Sequence, residues 1–307
     1  MSAKWTAADI PDQTGRIAVV TGANSGLGLV TARELARAGA HVVVAARDPK
    51  RGARAIDEIT AAVPHADLEF QPLDLADLGS IERFAGAMSI QHDGLDLLIN
   101  NAGVMALPYQ RTADGFELQF GTNHLGHFAL TGRLAGLLTE RPDSRVVTVS
   151  SGLAQRGRID FGNLQGERKY QKWAAYSNAK LANLLFAFEL DRRLPRVGSY
   201  AAHPGFAATN LQPASAKATG NKLVELVVGL GNKIIAQDMA MGALPTLYAA
   251  TKPDLPRGSY VGPDGFMQQR GHPKIVRAIR AAYDEDTARK LWEVSEKLTG
   301  VHFGAPV

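Results

Sequence analysis

The sequence predicts an α/β fold: a single doubly wound parallel sheet with helices on both faces and a C-terminal extension that covers a substrate. Three observations carry this prediction. Short β-branched apolar runs alternate with stretches of helical period along most of the chain. The first such run is followed by a glycine-rich turn and then a helix, the arrangement that offers backbone N–H groups to a phosphate. No repeat, low-complexity tract or Ser/Gly-rich linker divides the 307 residues, and their 45% apolar content allows a sizeable core, so residues 1–307 read as one domain.

Composition narrows the function classes. The net charge of +4 arises from 34 basic and 30 acidic residues mixed along the chain, which argues against a nucleic-acid-binding surface. With no cysteine, disulfides and thiolate chemistry are excluded, and a metal site would need His and carboxylates alone. Residues 1–15 read as an N-terminal arm, without the apolar core of a signal peptide. The apolar segment from Leu223 to Leu230 is far shorter than the ~20 residues that span a bilayer, so no transmembrane segment is expected. These features fit a soluble protein, and the reducing cytoplasm is the expected location.

Arg16 to Thr21 reads as the first strand, and Leu27 to Ala38 has helical periodicity. Between them, Thr21-Gly22-Ala23-Asn24-Ser25-Gly26-Leu27-Gly28 places glycines where the backbone must turn tightly and approach a ligand closely. The second strand, His41 to Ala46, ends at Arg47-Asp48, the position that meets an adenosine ribose in such folds. Arg47 can donate charge-assisted bonds to a 2′-phosphate, which at roughly 1.5–3 kcal/mol favours NADP over NAD by about 10- to 150-fold. A third strand, Asp67 to Leu73, runs into Asp74-Leu75, where the carboxylate can accept from an adenine amino group or cap the next helix. Asp77 is the better-placed cap for that helix, which starts near Leu78. A fourth strand, Leu95 to Ile99, leads to Asn100-Asn101-Ala102-Gly103, small residues against which a cofactor can pack, with Asn100 tying strand ends together.

Asp114 to Leu138 is helical in pattern and carries Asn123, an unfavourable helix-interior residue unless its side chain has a task. His124 and His127 lie three apart but lack a further ligand at helical spacing, so packing or hydrogen bonding is expected of them, and no metal site. The fifth strand, Arg145 to Val149, delivers Ser150 and Ser151 to its carboxyl end, where open sheets of this kind bind ligands. Arg156, Arg158, Glu167, Arg168 and Lys169 belong to a polar excursion and read as a solvated face. Tyr176 and Lys180 then share one face of a helix that runs to about Leu194, roughly 6 Å apart along its axis. A neighbouring ammonium favours a phenolate, so the pair can do proton chemistry. Ser199 to Ala202 forms a sixth strand leading to Pro204, Gly205 and Thr209, and residues 206–238 read as a mobile substrate cover. Met239 to Ala250 reads as a helix, Ser259 to Val261 as an edge strand, and Ala281 to Leu298 as a charged amphipathic helix.

In their order, Thr21-Gly-x3-Gly-x-Gly28, Asn100-Asn-Ala-Gly103, Asn123, Ser151, Tyr176-x3-Lys180 and Pro204-Gly205 resemble the short-chain dehydrogenase/reductase family from Arg16 to Thr209. Phe120 to Phe128, the 25-residue interval from Ser151 to Tyr176, and Ser177 to Asn183 resemble its retinol dehydrogenase and protochlorophyllide reductase branch. The resemblance implies a Rossmann fold in which Tyr176 protonates a substrate oxygen and Ser151 orients it. Lys180 would lower the tyrosine pKa and hold the nicotinamide ribose, while Asn123 would hold a water linking Lys180 to solvent. Thr21, Gly22, Asn24, Ser25, Gly26, Leu27, Gly28, Arg47, Asp74, Leu75, Asn101, Ala102, Gly103, Pro204, Gly205 and Thr209 would line the cofactor site.

The activity implied is that of an NADP-dependent oxidoreductase acting on a lipophilic aldehyde, ketone or alcohol, with NADPH preferred over NADH. Leu107, Pro108, Tyr109, Leu153, Phe206 and Leu211 are expected to make its pocket apolar. Two alternatives remain open: a catalytically silent NADP-binding sensor or scaffold, and a light-dependent enzyme like protochlorophyllide reductase. The family resemblance also implies a homo-oligomer formed through its two long central helices.

Overall fold

A computed structural model describes residues 4–205 and 238–303. Eight strands form one sheet: β1 (Ile17–Thr21), β2 (His41–Ala46), β3 (Asp67–Pro72), β4 (Leu97–Asn100), β5 (Arg145–Val149), β6 (Gly198–Ala202), β7 (Tyr260–Pro263) and β8 (Pro273–Ile275). Their order is β3-β2-β1-β4-β5-β6-β7-β8, and all neighbours are parallel except β7 and β8. The order reverses between β1 and β4, which opens a crevice at the carboxyl ends of those strands. The sequence-predicted doubly wound fold is the one observed.

Both faces of the central strands β1, β2, β4 and β5 are buried, which is why they read as near-continuous apolar runs. Side-chain alternation divides them between two cores. Val20, Val42, Val44 and Ile99 pack under α1 (Gly26–Arg37), α2 (Pro49–Ala62) and α7 (Met239–Thr251). Val19, Val43, Leu98 and Val146 pack on the other side, under α3 (Leu78–Gln91), α5 (Gly126–Thr139), α6 (Lys172–Arg193) and α8 (Glu285–Thr299).

Several local expectations are corrected. Helix α2 follows β2 without having been expected, because its surface carries Lys50, Arg51, Arg54, Asp57 and Glu58 while only Gly52, Ala55 and Ile59 are buried. Asp48 caps it, accepting from Lys50 N and Arg51 N, and Pro49 opens its first turn. The helix expected over Asp114 to Leu138 begins only at α4 (Leu118–Phe120), after Arg111 and Glu117 form an antiparallel bridge. It then widens into a π turn over Gly121–Leu125 before α5. Strand β7 is not the sheet edge, since β8 pairs outside it. Helix α8 starts at Glu285, later than expected, where Asp284 accepts from Thr287 N, and it ends at Gly300, whose φ of +65° suits glycine.

The most consequential packing is that of α8 on the two central helices. The Trp292 ring lies 5.0 Å from Phe128 of α5 and stacks on Phe186 of α6 at 5.8 Å, with Phe303 at 4.4 Å on its flank. Helix α8 thus packs on both α5 and α6, the helices through which a homo-oligomer was expected. Among the described residues, no helix is long and apolar enough to cross a membrane.

Candidate active site

The parallel register brings Thr21, Arg47, Asp74, Asn101, Ser151 and His203 to the carboxyl ends of neighbouring strands. Turning there needs residues that tolerate φ > 0, and Gly22 (+67°) and Gly26 (+58°) supply it. Gly28 is needed for closeness instead: a Cβ on it would stand 2.5 Å from both Gly22 O and Asn101 Nδ2. Asn101 Nδ2 donates to Thr21 O at 2.8 Å, joining β4 to the glycine turn. A Cβ on Gly26 would meet nothing within 4 Å, so open space faces the start of α1. Ser25 caps that helix in an extended conformation without spending its side chain on the first-turn N–H groups. Asn24, Ser25 and Leu27 are half-buried around the same opening. These features fit a dinucleotide pyrophosphate.

Not every expected cofactor residue reaches that opening. Thr21 is fully buried, and its hydroxyl accepts from Asn101 N and Ala102 N, both at 2.9 Å. It supports the loop from below. Leu75 is also a core residue, packed under α5. Arg47 is exposed at the end of β2, with Nη1 3.8 Å from Asp74 Oδ2. Asp48 is spent on the α2 cap, so the carboxylate facing Arg47 is that of Asp74, whose other oxygen accepts from Ala76 N. Gly205 (+66°) turns after Pro204 so close to Gln269 that a Cβ would stand 2.4 Å from its carbonyl oxygen. Thr209, Phe206, Leu211 and the rest of the expected cover up to residue 237 lie outside the described residues.

Helix α6 carries two of the expected site residues. The Gln171 side chain accepts from Ala174 N at its start, and Tyr176 and Lys180 follow one turn apart on its buried face. Tyr176 lies near the Ser151 side chain, whose hydroxyl favours the ionised phenol, and packs against Met105, Ala106 and Leu153. Leu153 was expected near the reacting centre, whereas Met105 and Ala106 were not singled out. Pro108 and Tyr109 are exposed, and Tyr109 leans edge-on against Tyr170 at 5.2 Å. Ser150, the alternative serine, points the other way and donates to Lys180 O at 2.8 Å. Ser151 Oγ instead accepts from Leu153 N at 3.2 Å.

Lys180 Nζ donates to Val149 O at 2.9 Å and lies 5.9 Å from the Tyr176 ring centre. Burial pulls its pKa down to about 8. The expected lowering of the tyrosine by Lys180 is not what the structure shows. Burial raises the Tyr176 phenol above its ordinary value, and the opposing effect comes from the nearby Ser151 hydroxyl. At neutral pH the phenol is accordingly held as an acid.

Asn123 sits in the π turn with its side chain clasping Val104: Oδ1 accepts from Val104 N at 2.8 Å and Nδ2 donates to Val104 O at 2.9 Å. A Cβ on Gly103 would stand 3.1 Å from Asn123 Oδ1 and 3.5 Å from Lys180 Nζ, so these three positions adjoin. His127, which carried no assigned chemistry, connects this region to the glycine turn. Its Nδ1 lies 3.0 Å from Asn123 O and its Nε2 3.0 Å from Thr21 Oγ1. A carbonyl only accepts, so Nδ1 carries the hydrogen and Nε2 is left to accept from the threonine. Burial lowers the His127 pKa to about 4, keeping the ring neutral for that pattern. His124 is likewise neutral and bonded, at 2.9 Å, to Ser295 of α8.

Arg156, Arg158, Glu167, Arg168 and Lys169 of the polar excursion are all exposed, as expected of a solvated face. Glu117, Arg156, Arg158, Lys169 and Tyr170 help to line a cavity of about 430 Å³ beside the first turns of α6, and none of Ser151, Tyr176 and Lys180 lines it.

Comparison with known proteins agrees with this geometry. The short chain dehydrogenase family profile matches residues 16–220. Human retinol dehydrogenase 14 is 39% identical over 304 residues, spanning 94% of this chain and 87% of that protein. The crystal structure of an uncharacterised protein from Mycobacterium paratuberculosis is 45% identical, with a TM-score of 0.80 over 98% of this chain and 100% of its own. The NADP complex of Pseudomonas aeruginosa RhlG shares the fold at 23% identity and a TM-score of 0.65, over 83% of this chain and 97% of its own. Sequence, fold and the arrangement around Tyr176 lead to one assignment: the chain belongs to the short-chain dehydrogenase family and is an oxidoreductase related to the retinol dehydrogenases.

Proposed function

We propose that this protein is an NADP-dependent oxidoreductase that reduces a lipophilic aldehyde or ketone, or oxidises the corresponding alcohol, with Asn123, Ser151, Tyr176 and Lys180 as its working residues. The observation that carries the reading is Tyr176, buried near the Ser151 hydroxyl and one helical turn from Lys180, whose Nζ lies 5.9 Å from its ring centre. A bound nicotinamide supplies the hydride that forms the new C–H bond at the carbonyl carbon. Tyr176 Oη gives its proton to the carbonyl oxygen as negative charge develops there. Ser151 orients that oxygen. Lys180 and Asn123, which adjoin across Gly103, would return a proton to the phenol from solvent. Arg47, exposed beside Asp74, would hold a 2′-phosphate. Met105 and Leu153 give the phenol apolar neighbours, which suits a lipophilic substrate, as does the similarity to a retinol dehydrogenase.

The test is cofactor oxidation by wild type and Tyr176→Phe against aliphatic, aromatic, steroid and retinoid carbonyls, with NADPH and NADH in parallel. NADPH-linked turnover that the variant loses supports the reading, and the best carbonyl narrows the substrate class. Tight NADPH binding without turnover on any carbonyl would favour a sensor or scaffold. A preference for NADH would overturn the role given to Arg47.

A further inference from the structure

At the opposite, amino-terminal end of the strands, three side chains from distant parts of the chain converge. His41 opens β2, Glu69 is the third residue of β3, and His92 is the C-cap of α3. The register sets His41 beside Asp67 and Val43 beside Glu69, so alternation puts all four on one face of the sheet. That is the face α3 covers, and its last turn brings His92 over the pair. One ligand atom from each of His41, Glu69 and His92 lies within 4.8 Å of the other two. The three side chains are between 12% and 24% exposed, enclosed but open to an ion from solvent.

Protein atoms alone satisfy this cluster only if His41 carries a hydrogen on both ring nitrogens. His41 Nε2 and His92 Nε2 lie 3.3 Å and 3.2 Å from the same oxygen, Glu69 Oε2. The other ring nitrogen of His41 lies 3.0 Å from Asp67 Oδ1. A neutral imidazole has one N–H, so a neutral His41 would turn a lone pair toward one of these carboxylates. Charge-assisted N–H···O contacts close to about 2.7–2.9 Å, shorter than the two contacts on Glu69. A tetrahedral Zn²⁺ with ligand bonds near 2.0–2.1 Å holds its ligand atoms about 3.3 Å apart. Two of the three separations already have that value. With a cation on both Nε2 atoms, His41 keeps its hydrogen on Nδ1 and donates it to Asp67, the outer carboxylate that commonly orients a metal-bound histidine. The second oxygen of Glu69 accepts from Gln71 Nε2, which leaves Oε2 for the metal.

We propose that His41, Glu69 and His92 form a structural site for one divalent cation of the Zn²⁺ type, completed by water and oriented by Asp67. The two imidazoles and one carboxylate suit zinc better than magnesium or calcium. The site clamps edge strand β3 to β2 and to the end of α3. It lies at the end of the sheet away from Tyr176 and takes no part in the reaction proposed above.

The test uses the full chain without an affinity tag, stripped with EDTA and titrated with zinc chloride by calorimetry, with thermal unfolding followed in parallel. One zinc per chain is expected, raising the unfolding midpoint by roughly 5 °C at a hundredfold excess over the dissociation constant. Asp67→Asn, at an exposed position, should weaken zinc binding about 10- to 100-fold. His41→Gln and His92→Gln should weaken it at least as much, with circular dichroism of the zinc-free variants confirming their fold. Should a histidine variant fail to fold, Asp67→Asn decides alone. No zinc binding by wild type, or binding that these substitutions leave unchanged, overturns the proposal.

Discussion

Tyr176 and Lys180 are both buried, and burial moves their pKa values in opposite directions, the phenol up and the ammonium down to about 8. A phenol held protonated can donate at neutral pH but must be ionised before it can accept. Carbonyl reduction should therefore persist through neutral pH, while alcohol oxidation should climb as pH rises above 8, a contrast read from initial rates in each direction. Lys180 also has a stability consequence. Its folded pKa is depressed, so between about 8 and its ordinary value of 10.5 the unfolded chain binds more protons than the folded one. Stability from this group is complete above 10.5 and is lost as pH falls toward 8. Wild type should accordingly gain stability relative to Lys180→Met as pH rises from 8 toward 10, in urea titrations without added cofactor. At His127, a phenylalanine would leave Asn123 O and Thr21 Oγ1 without their ring partner. We expect His127→Phe to cost about 1–3 kcal/mol in denaturant unfolding and to weaken cofactor binding through the glycine turn. Unchanged stability would mean that the ring only fills space.

At the scale of elements, the glycine turn and the π turn do the positioning. Gly28→Ala would drive a methyl group into Gly22 O and Asn101 Nδ2, where backbone on one side leaves little room to yield. It should destabilise the protein by about 1–3 kcal/mol and weaken NADPH binding at least tenfold, measured by unfolding and by cofactor fluorescence. Binding equal to that of wild type would show that the turn tolerates a side chain. The same elements show what was legible in the sequence. Strands β1, β2 and β5 could be read to within one residue, because burial on both faces makes them continuous apolar runs with sharp ends. Ser150 and Ser151 lie just past the end of β5 and make separate contacts, Ser150 with Lys180 O and Ser151 with Leu153 N. The π turn could not be read, since its consequence is a side-chain contact from His127 to a carbonyl four residues back and to a strand 106 residues away. Helix α2 escaped because so little of it is apolar. The cluster of His41, Glu69 and His92 escaped because its members stand at no motif spacing and meet only through strand register and the end of α3.

Across the whole molecule, the sheet separates two tasks: the carboxyl ends of its strands gather the reactive groups, and helix α8 seals the far side of the helices that hold them. Trp292, stacked on Phe186 and edge-on to Phe128, links α8 to both central helices. Removing it in Trp292→Ala should cost about 3–5 kcal/mol in urea unfolding. A loss below 1 kcal/mol would mean that α8 is only loosely docked. The central claim concerns the other side of those helices, and one experiment addresses it: NADPH affinity and carbonyl turnover measured on the same preparation of Tyr176→Phe. The ring of the buried phenol packs on Met105 and Leu153, so phenylalanine keeps the packing and removes the proton donor. Affinity close to that of wild type with turnover reduced about 10²- to 10⁴-fold is the predicted result. Turnover within a few-fold of wild type would contradict the assignment of Tyr176 as the acid.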